Sequence, residues 1–262
     1  MPYALNAGTK IYWEEHGTGE PLLLIMGLGA TLDLWYRLTP TLSSHYRTIL
    51  LDNCGAGRSD APSGPYSIPQ MAADALAVLD AAGVKTARVF GASMGGMIAQ
   101  ELALQHPDRV RSLILGCTAP GGTAVVPADR EVGVALASRT TLPPEQALRV
   151  MVPYIYDMTT SRERVDEDVA VRLRNMMTNE AFAAQYQAIR SWAGTIDRLP
   201  GLMMPTLVIH GETDRLVPPE NGRIIAAAIP GSTLLMLPNA SHLFMTDQFD
   251  ASIGPILGFL AQ

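Results

Sequence analysis

Short, continuous apolar runs recur along the chain, separated by longer stretches with helical spacing. Residues 21–26 (PLLLIM), 47–51 (RTILL), 88–90 (RVF), 111–115 (RSLIL), 206–210 (TLVIH) and 233–237 (TLLML) have the uninterrupted apolar character of strands buried on both faces of a parallel sheet. An alternating stretch opens the chain, with strands expected at 3–6 and 9–15 around a turn at Ala7-Gly8. Between the strands, the alanine-rich periodic segment 69–82, ended by Gly83, predicts a helix. So do segments at about 94–106, near 219–229 and at about 248–260. A further helical segment carrying Leu34, Trp35 and Leu38 is expected to stop near Pro40. Strands alternating with helices imply an α/β fold with a mainly parallel sheet covered on both faces.

The rhythm is interrupted once. Residues 121–200 show no strong strand signal, are divided by Pro127, Pro143, Pro144 and Pro153, and predict helices at 145–157, 162–178 and 180–193. The organisation read from this is a core domain formed by 1–120 and 201–262, with 121–200 inserted between sheet strands as a helical cap.

One junction carries chemistry. The run 88–90 meets Gly91-Ala92-Ser93-Met94-Gly95, and a helix follows from Met94. Gly-x-Ser-x-Gly between a strand and a helix is the nucleophile-elbow pattern: the sharp reversal holds the serine in strained backbone, and only small neighbours fit across the turn. By composition alone roughly one chain in ten of this length would contain such a match, so the flanking strand and helix, and the partners, decide the matter. A serine nucleophile needs a base, and the base needs an orienting carboxylate. Of the five histidines, His16 and His45 sit in surface-like contexts, His106 ends the helix after the elbow, and His210 ends a buried strand as a packed or loop-ordering residue. His242 lies in the short loop between the last strand and the last helix, where sites assemble in parallel sheets. Asp214 occupies the corresponding loop one unit earlier, with Glu212 as its nearest rival; Asp247 and Asp250 are expected to begin the last helix. The chain order Ser93…Asp214…His242 is that of one serine hydrolase class.

Composition narrows the setting. The chain of 262 residues is 48% hydrophobic with a net charge of −6, which argues against nucleic acid or an anionic membrane surface as partner. Cys54 and Cys117 have neither disulfide-framework nor metal-ligand spacing and read as small buried residues. No signal peptide or spanning run is apparent, so the expected location is cytoplasmic. No cofactor is expected: Gly55-Ala56-Gly57 lacks the third glycine and the helix of a dinucleotide fingerprint. Homo-oligomerisation is left open.

The motifs GASMGG, GETDRLVP and NASHL resemble the nucleophile, acid and base loops of the α/β-hydrolase-fold serine hydrolases, and the likeness covers nearly the whole chain outside 121–200. Asp52-Asn53-Cys54-Gly55-Ala56-Gly57-Arg58-Ser59 resembles that family's Asp-x-Arg-Gly-x-Gly-x-Ser loop, with Cys54 at the position where arginine or proline is usual. Residues 61–66 (APSGPY) resemble the following segment in 3-oxoadipate enol-lactonases and small esterases. The resemblance implies Ser93 as nucleophile, His242 as base and Asp214 as orienting acid, with backbone N–H groups of Leu28 and Met94 as the oxyanion hole. The family commonly has His-Gly after its first buried strand. Here Met26-Gly27 stands instead, which removes a loop-ordering polar side chain and puts the loop's rigidity in question.

The reaction expected is hydrolysis of a small to medium, largely uncharged carboxylic ester or lactone. Trp35, Met94, Met176, Met177, Trp192, Leu243 and Phe244 are candidates for an apolar pocket. Two other readings stay open. One is a carbon–carbon bond hydrolase on the same triad, weakened because Leu243 rather than tryptophan follows His242. The other is a ligand-binding receptor on a retired hydrolase fold.

Overall fold

A computed structural model describes residues 2–262. Eight strands form one sheet in the order β1-β2-β4-β3-β5-β6-β7-β8. The hairpin β1 (Tyr3–Asn6) and β2 (Thr9–His16) is antiparallel, and β2 pairs antiparallel with β4 (Arg47–Leu51). Every other pairing is parallel, through β3 (Pro21–Ile25), β5 (Ala87–Ala92), β6 (Val110–Gly116), β7 (Thr206–Gly211) and β8 (Thr233–Leu237).

Side chains alternate across these strands, so continuous apolar runs supply two cores. Leu23, Ile25, Ile49, Leu51, Val89, Leu113 and Val208 pack on one face against α2 (Ile68–Ala81), α3 (Met94–Gln105) and α9 (Glu220–Ala228). Leu22, Leu24, Leu50, Phe90, Ile114, Leu207 and Ile209 face the other side, toward α11 (Phe249–Leu260) and the 3₁₀ turn Leu32–Arg37. Pro40 does not stop the chain: it opens the short helix α1 (Thr39–Ser43), because proline at the first helical positions lacks only an N–H that has no partner there.

Between β6 and β7 the chain is wholly helical in its regular structure: α4 (Arg130–Ser138), α5 (Pro144–Arg149), α6 (Val152–Ile155), α7 (Arg162–Arg174), α8 (Asn179–Ser191) and two 3₁₀ turns. The helix expected over 145–157 is two, and α7 ends at Arg174, before Met176 and Met177. Helix α4, which is not among the helices expected from the sequence, carries its buried residues Val132, Ala135 and Leu136 at helical spacing. These helices have no separate core. Val132, Leu136, Leu148, Val169 and Phe182 belong to the same apolar cluster as the second face of the sheet. Among the described residues, no helix is long and apolar enough to cross a membrane.

Candidate active site

Ser93 sits at the β5–α3 junction with φ 58° and ψ −123°, a backbone conformation that side chains other than glycine rarely adopt. Its amide donates to Gly116 O (2.8 Å), and its carbonyl accepts from Thr118 Oγ1 (2.7 Å) and Gly96 N (2.9 Å), so both sides of the turn are held. Gly95 is required on steric grounds, since a Cβ there would overlap the Ile25 carbonyl oxygen.

Asp214, fully buried in the loop after β7, accepts on Oδ1 from the amides of Leu216 and Val217, each at 2.9 Å. Its Oδ2 lies 2.8 Å from His242 Nδ1 and 3.2 Å from His210 Nε2. Burial works to raise the Asp214 pKa, but the His242 charge and the hydrogen bonds from both imidazoles hold it below the ordinary carboxylate value. An ionised Asp214 accepts the Nδ1 proton of His242, which fixes the tautomer with a free Nε2. His210 Nε2 also lies 2.8 Å from Val217 O. With acceptors at both contacts, that nitrogen carries the proton, and His210 buttresses the acid loop, the loop-ordering role expected of it. Glu212 is exposed and makes no side-chain hydrogen bond among the described residues.

The His242 loop is clasped from both sides. Thr213 N donates to Ala240 O (2.9 Å), and Leu243 N donates to Ile155 O (2.9 Å). Asp247 Oδ2 accepts from Ser241 N (2.7 Å) and Asp157 N (3.1 Å), and Oδ1 from Thr160 Oγ1 (2.6 Å). Asp247 therefore does not begin the last helix, as expected from sequence. It ends the short α10 (Phe244–Asp247) and ties the base loop to residues 157–160, while Asp250 lies in the first turn of α11. Burial pushes the Asp247 carboxyl up to about 6 despite these donors.

The loop after β3 presents Leu28. Gly27 lies against Ser93, where a Cβ would come within 2.8 Å of Ser93 Cβ. The amides of Leu28 and Met94 have no hydrogen-bond partner among the described residues, and both residues line the cavity that contains Ser93. With Met26 in place of histidine, this loop is held by groups from elsewhere. Asn53 Nδ2 donates to Met26 O (2.7 Å), and Gly29 N donates to Gln185 Oε1 (3.1 Å) on α8. Gln185 Nε2 in turn donates to Cys54 O (2.9 Å). The Asp52–Ser59 loop acts as a brace: Asp52 accepts from Leu32 N (2.8 Å), Arg58 N (2.9 Å) and Arg58 Nε (3.1 Å). Cys54 and Cys117 are buried free thiols.

Ser93, His242, Leu28 and Met94 border one cavity of about 900 Å³, walled by the sheet's C-terminal loops and the helical insertion. Of the predicted pocket residues, Met94, Trp192 and Leu243 line it. Trp35 and Phe244 do not. Each turns into the sheet, Trp35 edge-to-face on Phe90 at 4.9 Å, and their neighbours Leu34 and Met245 reach the cavity instead. Met176 and Met177 lie beyond the end of α7, outside the lining, with Met176 exposed. Sequence reasoning missed Gln185, Arg139 and Arg172; the last two also border the cavity.

Comparison with known proteins identifies the family to which this fold belongs. The sequence profile of the alpha/beta hydrolase fold matches residues 20–248. A putative carbamate hydrolase of Azorhizobium caulinodans is 32% identical, over all of this chain and 99% of its own length. The crystal structure of the enol-lactonase from Burkholderia xenovorans superposes with a TM-score of 0.87 at 29% identity, covering the whole of both chains. A thermophilic esterase from Thermogutta terrifontis gives 0.85 at 27% identity, over 99% of this chain and 96% of its own.

Proposed function

Since the chain belongs to the α/β-hydrolase fold family, we propose that it is a serine hydrolase that cleaves carboxylic esters or lactones through an acyl-enzyme on Ser93. The observation that carries this reading is the buried Asp214–His242 hydrogen bond, which opens on the same cavity as a serine held at positive φ. His242 Nε2 removes the Ser93 hydroxyl proton as Oγ attacks the substrate carbonyl. The amides of Leu28 and Met94 receive the negative charge on the carbonyl oxygen, helped by the N-terminus of α3. Collapse of the tetrahedral intermediate expels the alkoxide, which takes the proton from His242. Water then attacks the acyl-enzyme with His242 again as base, and Ser93 regains its proton as the acid leaves. Asp214 stays ionised and stabilises the imidazolium formed at each step. Residues 121–200 act as a cap that keeps bulk water from these charges, and they share the cavity's apolar wall with the core loops.

The esterase and enol-lactonase relatives support this reaction class, and the carbamate hydrolase relative adds carbamates as compounds to test. A fluorophosphonate should label Ser93, and a panel of esters, lactones and carbamates should be turned over by wild type but not by Ser93→Ala. Alanine keeps the turn's small side chain, and residual catalysis of roughly a thousandfold over water remains from the amide donors and binding. Near-wild-type turnover in Ser93→Ala, or labelling elsewhere, refutes the assignment.

A further inference from the structure

Four arginines line the cavity; Arg130 and Arg190 are exposed at its mouth, and the two that are not, Arg139 and Arg172, have no partner among the described residues. Arg139, the residue that closes α4, is 8% exposed, and Arg172 on α7 is half-buried; both line the cavity that holds Ser93 and His242. Neither makes a salt bridge or a side-chain hydrogen bond among the described residues, and the Nε of each is buried without an acceptor. Most other buried or half-buried arginines in the chain are matched to acids, such as Arg37 with Asp168 and Arg58 with Asp52. Among the described residues, Asp129 is the sole carboxylate lining the cavity, and it is exposed. The Arg139 guanidinium rests on the Phe182 ring at 4.3 Å and reaches Gly29, beside the proposed oxyanion donor Leu28. Packing alone does not account for this. A methionine would cover Phe182 without bringing a charge into a closed, apolar wall.

We propose that Arg139 and Arg172 form an anion subsite, and that the substrate is an ester or lactone carrying a free carboxylate. The proposal rests on Ser93 being the nucleophile, and it replaces the uncharged ester expected from composition. Two guanidinium forks border one cavity, near enough for the Arg172 charge to act on Arg139, and among the described residues neither has an acceptor. A planar carboxylate fits such a fork with two parallel N–H···O bonds. Burial and the Arg172 charge together pull the Arg139 pKa down to about 9, the state of a cation that still lacks its counter-ion. Binding an anion would relieve both effects. Because Arg139 also touches the loop that bears Leu28, an anchored carboxylate would hold the scissile carbonyl in register with the oxyanion donors.

The test measures hydrolysis in a pH-stat for monomethyl adipate against dimethyl adipate, and for 4-acetoxybutyrate against butyl acetate. The two pairs place the carboxylate on the acyl side or the alcohol side. We expect wild type to prefer the monoanion in one pair. That ratio of kcat/KM values should fall on the order of ten- to a hundredfold in Arg139→Gln or Arg172→Gln, the usual range for one charge-assisted hydrogen bond, with partial retention in Arg139→Lys. Adipate and inorganic phosphate, each titrated into Ser93→Ala while melting is followed, give a readout that needs no turnover. Adipate should raise the Tm, and Arg172→Gln added to Ser93→Ala should remove the rise. Should Arg139→Gln misfold, the half-buried Arg172 carries the same comparison alone. Equal use of charged and neutral esters by wild type, a ratio unmoved by both substitutions, or a Tm rise with phosphate but not adipate would overturn the proposal. Fluorophosphonate labelling separates the two levels: with Ser93 labelled, those results sink the subsite alone, whereas no labelling sinks the hydrolase reading itself.

Discussion

Replacing Gln185 by leucine tests how the oxyanion loop is held. Gln185 is fully buried on α8 and bridges Gly29 N at 3.1 Å to Cys54 O at 2.9 Å. Leucine keeps the volume and the apolar neighbours but leaves both backbone groups without that partner. A buried polar group left unsatisfied costs about 1–3 kcal/mol. The Gly29 amide is only half-buried and recovers part of its loss to water, so the two together should cost about 2–4 kcal/mol. That is a substantial share of the roughly 5–15 kcal/mol by which a domain is stable, and it should lower the urea midpoint visibly with the slope unchanged. Catalysis should suffer separately. Removing an oxyanion donor outright costs roughly 10²–10³ in kcat. Here the Leu28 amide remains and only its loop loosens, so the expected loss is about ten- to a hundredfold in kcat with little change in KM. Urea unfolding followed by circular dichroism and initial rates on an activated ester measure the two effects. If the midpoint falls while kcat stays within about twofold of wild type, the loop does not depend on α8 for its catalytic geometry, and the argument fails.

Two further changes address the acid and the base loop. Asp214→Asn should lower kcat by about 10⁴, because the amide favours the wrong His242 tautomer, whereas Glu212→Gln, at an exposed residue, should leave turnover near wild type; steady-state rates decide, and the reverse order would show the acid misassigned. For Asp247, the folded pKa of about 6 stands above the ordinary aspartate value of 3.8, so the native state holds its proton more tightly than the unfolded chain. The stability this supplies is fully present below about pH 4 and is lost as pH rises through about 6, on the order of 2–3 kcal/mol. Asp247→Asn cannot ionise, so from pH 4.5 to 7.5 its urea midpoint should improve relative to wild type; a constant offset between the two would show that Asp247 titrates normally.

The parts of the site legible in the sequence are those that backbone geometry dictates. Ser93 needs small residues at 91 and 95 because the turn brings carbonyls against them, and Asp214 and His242 sit in short loops after buried strands. Each leaves a local trace. The second layer leaves none. Gln185 is one glutamine on a polar-looking helix, and it becomes a tether only because α8 crosses the loop after β3. The Met26 substitution reads as a loss of order when taken alone. The order is restored by Asn53, 27 residues along the chain from its partner Met26, and by Gln185, 156 residues from its partner Gly29. No local pattern reports contacts at that range.

Trp35 and Phe244 show the same limit within a single turn. Both are large aromatics beside site loops, and hydrophobicity cannot say which of two adjacent side chains faces the sheet and which faces the cavity. The sheet takes the residue that fills its second face, Trp35 against Phe90 and Phe244 beside Gly116, and leaves Leu34, Leu243 and Met245 to the substrate. The arginines follow the opposite logic. On a helix, an arginine reads as part of a solvated face, and the bland reading holds wherever an acid lies within reach, as it does for Arg149 with Glu145 and Asp166. Arg139 and Arg172 depart from it only because the insertion folds them over the sheet's C-terminal edge, with no carboxylate to meet them. The proposed nucleophile, base and acid all lie on the core loops, whereas the groups that would choose the substrate lie on the insertion. Changes in 121–200 can therefore redirect specificity while the strained turn at Ser93 and the Asp214–His242 pair remain as they are.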